Sequence, residues 1–317
     1  MPRISVGLGL GSFPFDTVQG FWRWVDLCEA GGIDSLWQSD RIVGTEPVLE
    51  SLATMAALAG RTQRLKFGMS VVSLAFRDPV LLAKQCATID VLSEGRLLPA
   101  FGIGSPIAPE WAALGIDTKT RGAKADEALQ IIQRLWTEDH VTFEGKHFRV
   151  SGVSIAPKPV QAELPLWIGG SSEAAIRRTA RFGTGWQSTL ESPAEIAPLI
   201  VRIKAAAKDA GRVIDEGHYG GAFAFHFGRA EDPGIAATLA IYKRLAGGSD
   251  PRDRVVIGDP AEVLARVEAY VAAGASKLIL RPMVRGDEAL LAQTRRLIAE
   301  VLPAIEARGF PTLDVLL

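Results

Sequence analysis

Residues 66–104 read KFGMSVVSLAFRDPVLLAKQCATIDVLSEGRLLPAFGIG, and this stretch predicts two buried strands joined by one helix. Residues 66–73 and 96–104 are apolar and rich in β-branched or aromatic side chains, as interior strands are. Asp78 and the proline after it form a helix start, because Asp caps free N–H groups and Pro at the first helical position loses only an unpaired N–H. Gly95 predicts the end of the helix. Together they predict a parallel βαβ unit, whose ligands lie at the carboxyl ends of the strands.

Composition and charge are those of an ordinary soluble protein. The 317 residues are 48% hydrophobic and 22% charged, and this length allows one large α/β domain or two smaller ones. The net charge of −1 provides no basic surface, so neither nucleic acid nor a membrane is an expected partner. No signal-like segment precedes Ile4 and no apolar run could span a bilayer, which predicts a cytoplasmic protein. Cys28 and Cys86 fall on apolar faces of predicted helices, where reduced core thiols are expected rather than a disulfide.

Strands and helices alternate along the whole chain. Beside the helix described above, helices are predicted at residues 17–30, 47–59, 121–135, 173–182, 194–210, 261–273 and 288–307. Strands are predicted at residues 4–10, 33–38, 66–73, 96–104, 164–168, 185–188, 222–227 and 277–280. Eight strands, each followed by a helix, predict an α/β fold of the (β/α)₈ TIM-barrel type. A doubly wound open sheet shares this alternation and stays open as an alternative, favoured if fewer than eight strands close.

Three stretches interrupt the alternation. Residues 105–120 form a loop after strand four, and residues 228–255 form a long polar segment after strand seven. These are the predicted insertions, and the second is a candidate lid, because long irregular segments in compact domains are often functional. Residues 140–150 alternate between apolar and polar around a glycine, which predicts a β-hairpin.

Residues at the carboxyl ends of the strands are the candidates for a functional site, because (β/α)₈ enzymes build their active sites there. The predicted strand ends carry mostly glycine and polar residues, as suits a pocket for a polar, planar ligand. They are Gly9, Gly11, Ser39, Asp40, Arg41, Ser70, Val71, Gly104, Ser105, Gly169, Gly170, Ser171, Ser172, Gln187, Ser188, His226 and Arg281.

The strongest single element is WIGGSSE at residues 167–173. A buried strand runs into Gly169 and Gly170, and a helix begins around Ser171 and Ser172. The free N–H groups and the positive dipole end of a helix N-terminus bind phosphate groups. A plain βα turn with a serine cap is the alternative interpretation.

Other motifs give weaker predictions. Residues 7–12 (GLGLGS) miss a dinucleotide-binding fingerprint, because the sixth position is serine and no helix follows, which disfavours an NAD(P)-linked dehydrogenase. Asp40 is interpreted as a buried acid near the ligand, and Arg41 as the cation beside it or as part of a surface ion pair. His226 is a candidate general base, with a structural histidine as the alternative. The 4 histidines have no metal-binding spacing, so no metal is expected.

A series of short motifs runs through the chain. They are LAFRDPVLLAKQ at residues 74–85, LSEGRL at 92–97, DEAL at 126–129, LW at 135–136, FEGK at 143–146, PKPVQ at 157–161, LWIGG at 166–170 and GW at 185–186. Together they resemble the signature of the bacterial luciferase-like flavin-dependent oxidoreductases, over residues 4–210 and more loosely to the end. Within this family the chain is most similar to members that use the deazaflavin coenzyme F-420 (F420).

The resemblance implies a single luciferase-like TIM-barrel domain over residues 1–317 that binds reduced FMN or F420 at the carboxyl ends of its strands. Matching the family motif places a non-prolyl cis peptide bond at Ser70–Val71, behind the ring of the cofactor. Gly104 and Ser105 form the neighbouring wall, and the phosphate contacts of the family map to residues 169–172.

Asp40 matches an acid that lies beside the flavin in this family, whereas the next residue departs from the family pattern. Many F420-using members carry a histidine there for proton transfer. Arg41 stays protonated and cannot serve as a general base near neutral pH. The resemblance therefore leaves Arg41 an anion-binding or peroxide-stabilising role.

The functional prediction is an oxidoreductase that acts on a small organic substrate, in the first place as a luciferase-like monooxygenase. An F420-dependent dehydrogenase or reductase is one alternative, and a non-catalytic flavin-binding barrel protein is another. The resemblance also implies a homodimer, with a flavin reductase as a candidate partner.

Overall fold

The computed structural model describes residues 4–245 and 250–308. The barrel strands are β1 (Ser5–Leu10), β2 (Ser35–Gln38), β3 (Lys66–Met69 and Val72–Ser73), β4 (Leu97–Leu98 and Ala100–Gly102), β5 (Trp167–Gly169), β6 (Gly185–Gln187), β7 (Tyr219–Phe227) and β8 (Lys277–Pro282). β3 and β4 are each interrupted once, at Ser70–Val71 and at Pro99. The predicted domain and the predicted segment at residues 228–255 both include residues that lie outside the described part, namely 1–3, 246–249 and 309–317.

Hydrogen-bonded pairing closes these strands into a ring. β1 pairs in parallel with β2, where Gly7 faces Ser35, and with β8, where Gly7 faces Ile279. β2 pairs with β3, and both pieces of β3 pair with the matching pieces of β4. The ring then continues through β5, β6 and β7 to β8. The predicted (β/α)₈ TIM barrel is therefore confirmed, and the doubly wound open sheet is wrong.

Helices cover the outside of the barrel. They are α1 (Val18–Ala30), α2 (Ser51–Arg61), α3 (Pro79–Leu92), α4 (Arg121–Thr137), α5 (Glu173–Phe182), α6 (Pro193–Asp209), α7 (Pro260–Ala272) and α8 (Asp287–Arg296), the last followed by a π-helical turn at Leu297–Val301 and by a helix at Leu302–Ala307. In the part of the chain that the structure describes, no helix is long and apolar enough to cross a membrane.

Side-chain caps set the helix starts. Asp78 accepts hydrogen bonds from two N–H groups in the first turn of α3, at 2.9 and 3.0 Å, as the sequence predicts. The prediction that α2 begins at residue 47 is wrong, because the helix begins at Ser51. Glu50 keeps an extended backbone and caps this helix by accepting a hydrogen bond from the Ala53 N–H at 2.7 Å.

Long segments follow β4 and β7. The first contains a short helix at Glu110–Ala113 and a 3₁₀ turn at Thr118–Thr120. The second contains a helix at Ile235–Leu245, a 3₁₀ turn at Pro251–Asp253 and a strand at Val255–Gly258, which pairs in parallel with the end of β7. The sequence-based prediction missed this strand, because it lies at the end of a polar segment rich in glycine and proline.

The predicted hairpin lies between α4 and β5. Its strands are Val141–Glu144 and Arg149–Val153. The Glu127 carboxylate on α4 accepts hydrogen bonds from three consecutive N–H groups of the turn, at 2.9, 2.9 and 3.0 Å. These bonds fix the hairpin to the outer surface of the barrel.

Two tryptophans fill the lower interior of the barrel. The rings of Trp37 and Trp167 meet edge to face with centroids 6.1 Å apart. Glycines on the neighbouring strands make room for them, since a Cβ at Gly68 would lie 2.8 Å from the Trp37 ring and one at Gly185 would lie 2.7 Å from the Trp167 ring. Because the interior is filled here, a ligand site has to lie above this layer, at the carboxyl ends of the strands.

Both cysteines are buried and free, so the prediction of reduced core thiols is confirmed. Cys28 lies on α1 and Cys86 on α3, each facing the core. Burial raises the pKa of the Cys86 thiol to about 12, which keeps it protonated near neutral pH.

A buried ion pair closes the amino end of the barrel. The Lys277 side chain at the start of β8 is 5% exposed and contacts the Asp34 carboxylate. The more exposed Lys66 ammonium lies 3.8 Å from the same carboxylate. Lys277 Nζ also lies 5.9 Å from the centre of the Trp37 ring, so the ion pair borders the tryptophan layer.

Replacing Lys277 by methionine is expected to lower the free energy of unfolding by about 3–5 kcal/mol, because the Asp34 carboxylate is left buried without its main partner. Urea unfolding followed by circular dichroism measures the loss. R61Q is the control, because Arg61 and Asp26 form an exposed pair whose removal should cost less than about 1 kcal/mol. An equally small loss for K277M would contradict the importance of the buried pair.

Candidate active site

The carboxyl ends of the strands surround a mouth above the tryptophan layer. Ala222 on β7 and Ile279 on β8 pack against the tryptophans inside the barrel. Side chains alternate along a strand. His226 therefore points to the same face of the sheet as Ala222, and Arg281 to the same face as Ile279, and both lie nearer the mouth. On β1, a Cβ at Gly9 would lie 3.2 Å from the Arg281 side chain. The structure thus brings predicted site residues from several strands to one place.

The Ser70–Val71 peptide bond is cis, as the resemblance predicts. The Val71 side chain extends over two glycines on the neighbouring strands. A Cβ at Gly102 on β4 would lie 2.7 Å from Val71, and one at Gly169 on β5 would lie 2.9 Å from it. Glycine at both positions therefore lets Val71 lie flat across the mouth.

The Ser70 hydroxyl connects three strands. Its Oγ accepts hydrogen bonds from Gln187 Nε2 on β6 at 2.9 Å and from Arg281 Nη2 on β8 at 3.2 Å. Gln187 Oε1 and Arg281 Nε are buried and have no hydrogen-bond partner among the described residues. The sequence places Gln187 and Arg281 at strand ends, but no local signal shows that they meet Ser70.

Gly104 and Ser105 form an apolar wall together with two aromatic rings. Gly104 has φ +75°, and a Cβ there would lie 2.8 Å from Ser73 Oγ and 3.0 Å from the Trp111 ring. Trp111 Nε1 donates a hydrogen bond to the Ser105 carbonyl oxygen at 2.7 Å, and its ring meets that of Phe76 with centroids 4.4 Å apart. This wall lies against Gly104, two residues after the glycine that Val71 contacts on β4.

The turn after β5 has the geometry that the sequence predicts. Gly170 has φ +111°, which favours glycine, and its carbonyl oxygen accepts a hydrogen bond from Trp186 Nε1 at 2.8 Å. Ser172 caps α5 by accepting a hydrogen bond from the Ala175 N–H at 3.2 Å. Ser171 and Ser172 are exposed, and the first N–H groups of a helix have no partner within it. Unpaired N–H groups at the start of α5 therefore lie close to Gly169 in the chain.

Asp40 is buried, but its oxygens are bound within the protein. Arg77 donates two hydrogen bonds to the carboxylate, each 2.7 Å long. Ser51 Oγ donates a third at 2.7 Å and the Ser73 N–H a fourth at 3.2 Å. Asp40 therefore fixes the chain just after the cis peptide bond.

Arg41 lies at the edge of the mouth beside a buried acid. Its side chain is 53% exposed, and Nη1 lies 3.7 Å from Glu110 Oε2. The Glu110 side chain is 2% exposed. Its Oε1 accepts a hydrogen bond from the Ile42 N–H at 3.3 Å, whereas Oε2 has no hydrogen-bond partner among the described residues. Sequence reasoning missed Glu110, because an acid in a polar loop carries no sign that it is buried.

His226 is paired with an acid of the segment after β7. His226 Nε2 lies 2.8 Å from Asp232 Oδ2, and Nδ1 is buried without a partner among the described residues. The Arg229 N–H and the His226 ring lower the pKa of Asp232. Because Nε2 is engaged, this histidine links β7 to the segment that follows it.

A family model described as luciferase-like monooxygenase matches residues 1–277 of the chain. The chain belongs to the luciferase-like monooxygenase family. The resemblance recognised in the sequence motifs is therefore confirmed.

Individual proteins are similar to this luciferase-like chain over different shares of their length. An uncharacterized protein of Mycobacterium tuberculosis is 33% identical over 168 residues, so the match covers 53% of this chain and only 57% of that relative. An F420-dependent glucose-6-phosphate dehydrogenase of Amycolatopsis mediterranei is 26% identical over 318 residues, covering 89% of this chain and 92% of the relative. The crystal structure of a monooxygenase from Streptomyces bottropensis shares the fold, with a TM-score of 0.80 and 20% identity over 95% of this chain and 99% of the other.

Replacing Gly169 by alanine is expected to lower the free energy of unfolding by about 1–3 kcal/mol, because the added methyl group overlaps Val71. The double variant G169A/V71A should lose less than the sum of the two single variants, since V71A removes the overlapping methyl groups. Guanidinium unfolding measures all three variants.

G60A serves as the control for this series. A Cβ at Gly60 in α2 would meet nothing within 4 Å, so this variant should keep or gain up to about 1 kcal/mol. Strict additivity of G169A and V71A would contradict the overlap.

Proposed function

We propose that this protein is an oxidoreductase that binds a reduced flavin-type cofactor, FMN or F420, at the barrel mouth and acts on a small organic substrate. One observation carries the proposal: Gly169 both borders Val71 of the cis peptide and begins the turn that leads to the exposed N-terminus of α5. A flat surface for a ring and an anion site for a phosphate therefore adjoin each other. Family membership supports this interpretation.

The residues at the mouth fit such a cofactor. Val71 offers an apolar surface beside Gly102, and the Trp111 ring lies beside Gly104, two residues further along the chain. Ser73 Oγ and Gln187 Oε1 are buried polar atoms without partners among the described residues, as expected where a polar ring edge binds. When bound, the cofactor supplies hydride transfer as F420 or oxygen activation as FMN, and the protein supplies orientation and a dry site.

The hydride-transferring form with F420 is favoured by the relative from Amycolatopsis mediterranei, because that match extends over 89% of this chain. The second candidate is an FMN-dependent monooxygenase, favoured by the description of the family itself. Both forms use the same site and differ in whether oxygen is consumed.

In the hydride-transferring form, we propose Glu110 as the residue that exchanges a proton with the substrate. Arg41 stays protonated and therefore cannot exchange a proton with a substrate. Glu110 Oε2 is the nearby carboxylate oxygen that has no hydrogen bond among the described residues. Arg41 Nη1, 3.7 Å away, keeps this carboxylate in place.

The proposal includes a cytoplasmic homodimer with a small organic molecule as substrate. If FMN is the cofactor, a flavin reductase is the proposed partner, because the flavin has to arrive reduced. Light scattering of the purified protein tests the dimer, and a monomer at micromolar concentration would contradict it.

Anaerobic titration with reduced F420 and with reduced FMN is expected to show a dissociation constant of about 10 μM or lower for one of them, measured by fluorescence. Oxygen uptake in the presence of substrate then separates the two forms, since only the monooxygenase consumes oxygen. Binding of neither cofactor would contradict the proposal, and binding without any turnover would favour the non-catalytic alternative.

Replacing Glu110 by glutamine is expected to slow the oxidation of reduced F420 by menadione, a quinone that takes up a hydride and a proton, by about 100-fold or more. Cofactor affinity should stay within about twofold, because glutamine keeps the size of the side chain and Glu110 is not among the residues proposed to bind the cofactor. E46Q is the control, since Glu46 lies on the rim and pairs with Arg285. A rate unchanged by E110Q would contradict the role of Glu110.

A further inference from the structure

Arg281 differs from the other arginines at the mouth in having no acidic partner. Arg77 is paired with Asp40, and Arg41 lies beside Glu110. Among the described residues, no carboxylate lies within ion-pair distance of Arg281. Its Nη2 atom donates a hydrogen bond to Ser70 Oγ at 3.2 Å. A partly buried guanidinium group without an acidic partner lowers the stability of the protein unless a ligand supplies the missing negative charge.

The barrel strands fix the position of the Arg281 side chain. Arg281 faces Ala224 in the pairing of β8 with β7. Its side chain passes over Gly9, where a Cβ would lie 3.2 Å from Cγ and 3.4 Å from Nε. The Nε atom is buried and has no acceptor among the described residues. Glycine on β1 thus allows this side chain to reach the centre of the mouth with a free donor.

The segment after β7 covers Arg281 with a second donor. Tyr242 on the helix Ile235–Leu245 is buried and packs in one cluster with Leu190, Ala224 and Met283. Tyr242 packs with Ala224, which Arg281 faces in the pairing of β8 with β7. Burial raises the pKa of the Tyr242 hydroxyl. A phenol that stays protonated near a free guanidinium adds an O–H donor to the same space.

We infer that Arg281 binds an anionic group of the organic substrate, a carboxylate or a comparable oxyanion, at the centre of the barrel mouth. The inference rests on the proposed function in taking this mouth as the substrate site. Carboxylates match donors of this kind through charge-assisted hydrogen bonds. The cofactor phosphate has its own proposed site at α5, beside β5, three strands away from β8 in the ring.

The remainder of the substrate is expected to be apolar. Phe76 and Trp111 form an aromatic surface on the β4 side of the mouth. The substrate class is therefore an organic acid with an aliphatic or aromatic body.

Calorimetric titration of the cofactor-saturated protein tests this inference with benzoate and hexanoate against the neutral benzamide and hexanamide. The wild-type protein is expected to bind each acid about tenfold or more tightly than the matching amide. R281Q should remove this preference and leave cofactor affinity within about twofold. R281K should keep part of the preference, because the charge stays while the fork of donors is lost.

R285Q is the matched control, because Arg285 lies exposed on the rim and pairs with Glu46 at 2.8 Å. It should keep the full preference. Equal binding of acid and amide to the wild type, or a preference that survives in R281Q, would overturn the inference. The same holds if R281Q weakens cofactor binding and leaves the preference intact. If R281Q does not fold, an unchanged acid-to-amide ratio in R281K overturns it instead.

The titrations are repeated without cofactor, which separates the two proposals. A protein that prefers the acids through Arg281 but binds neither F420 nor FMN would contradict the proposed function and keep this inference. A protein that binds a cofactor and shows no preference for the acids would contradict this inference and keep the proposed function.

Discussion

The barrel mouth depends on one packing constraint, the placement of the Val71 side chain over two glycines. Gly102 on β4 and Gly169 on β5 leave the space that this side chain occupies, and a methyl group on either would come closer to Val71 than atoms tolerate. Through Gly169 the same constraint reaches the N-terminus of α5. Ser70, the residue before Val71, is hydrogen-bonded to Gln187 on β6 and to Arg281 on β8. A single dipeptide thus contacts the glycine that begins the turn before α5, the Gln187 side chain and the Arg281 side chain.

Charged groups at the two ends of the barrel differ in how fully they are paired. At the amino end, Lys277 and Asp34 satisfy each other beside the tryptophan layer, which suits a closed base. At the carboxyl end Asp40 is saturated by four hydrogen bonds and therefore contributes rigidity. Arg281 and Glu110 keep donor or acceptor atoms unsatisfied nearby. Incomplete pairing of buried polar groups costs stability, and such groups are expected at sites where a ligand completes the pairing.

Local signals in the sequence predict most of the fold and part of the site. The alternation of strands and helices, the Asp78 cap and the glycine turn before α5 each depend on a few adjacent residues. The Ser70–Val71 cis bond followed from the family motif rather than from any local signal. The contacts of Arg281 with Ser70 and of Glu110 with Ile42 join residues far apart in the chain, so no periodicity or spacing contains them. The strand Val255–Gly258 was missed for a local reason, because it ends a polar segment rich in glycine and proline.

The substitution of arginine for the histidine of many F420-using relatives fits this geometry. The loops after β2 and β4 meet where the Ile42 N–H binds Glu110 Oε1, so Arg41 and Glu110 border the same part of the mouth. A proton-exchanging group can therefore be supplied by either loop while the barrel stays the same. With Arg41 there, the charge is fixed, and the proposed proton-exchanging group is Glu110, whose Oε2 has no hydrogen-bond partner among the described residues. On this proposal the proton-transfer group lies in the loop after β4 instead of the loop after β2, and the strands that hold the proposed cofactor site need no change.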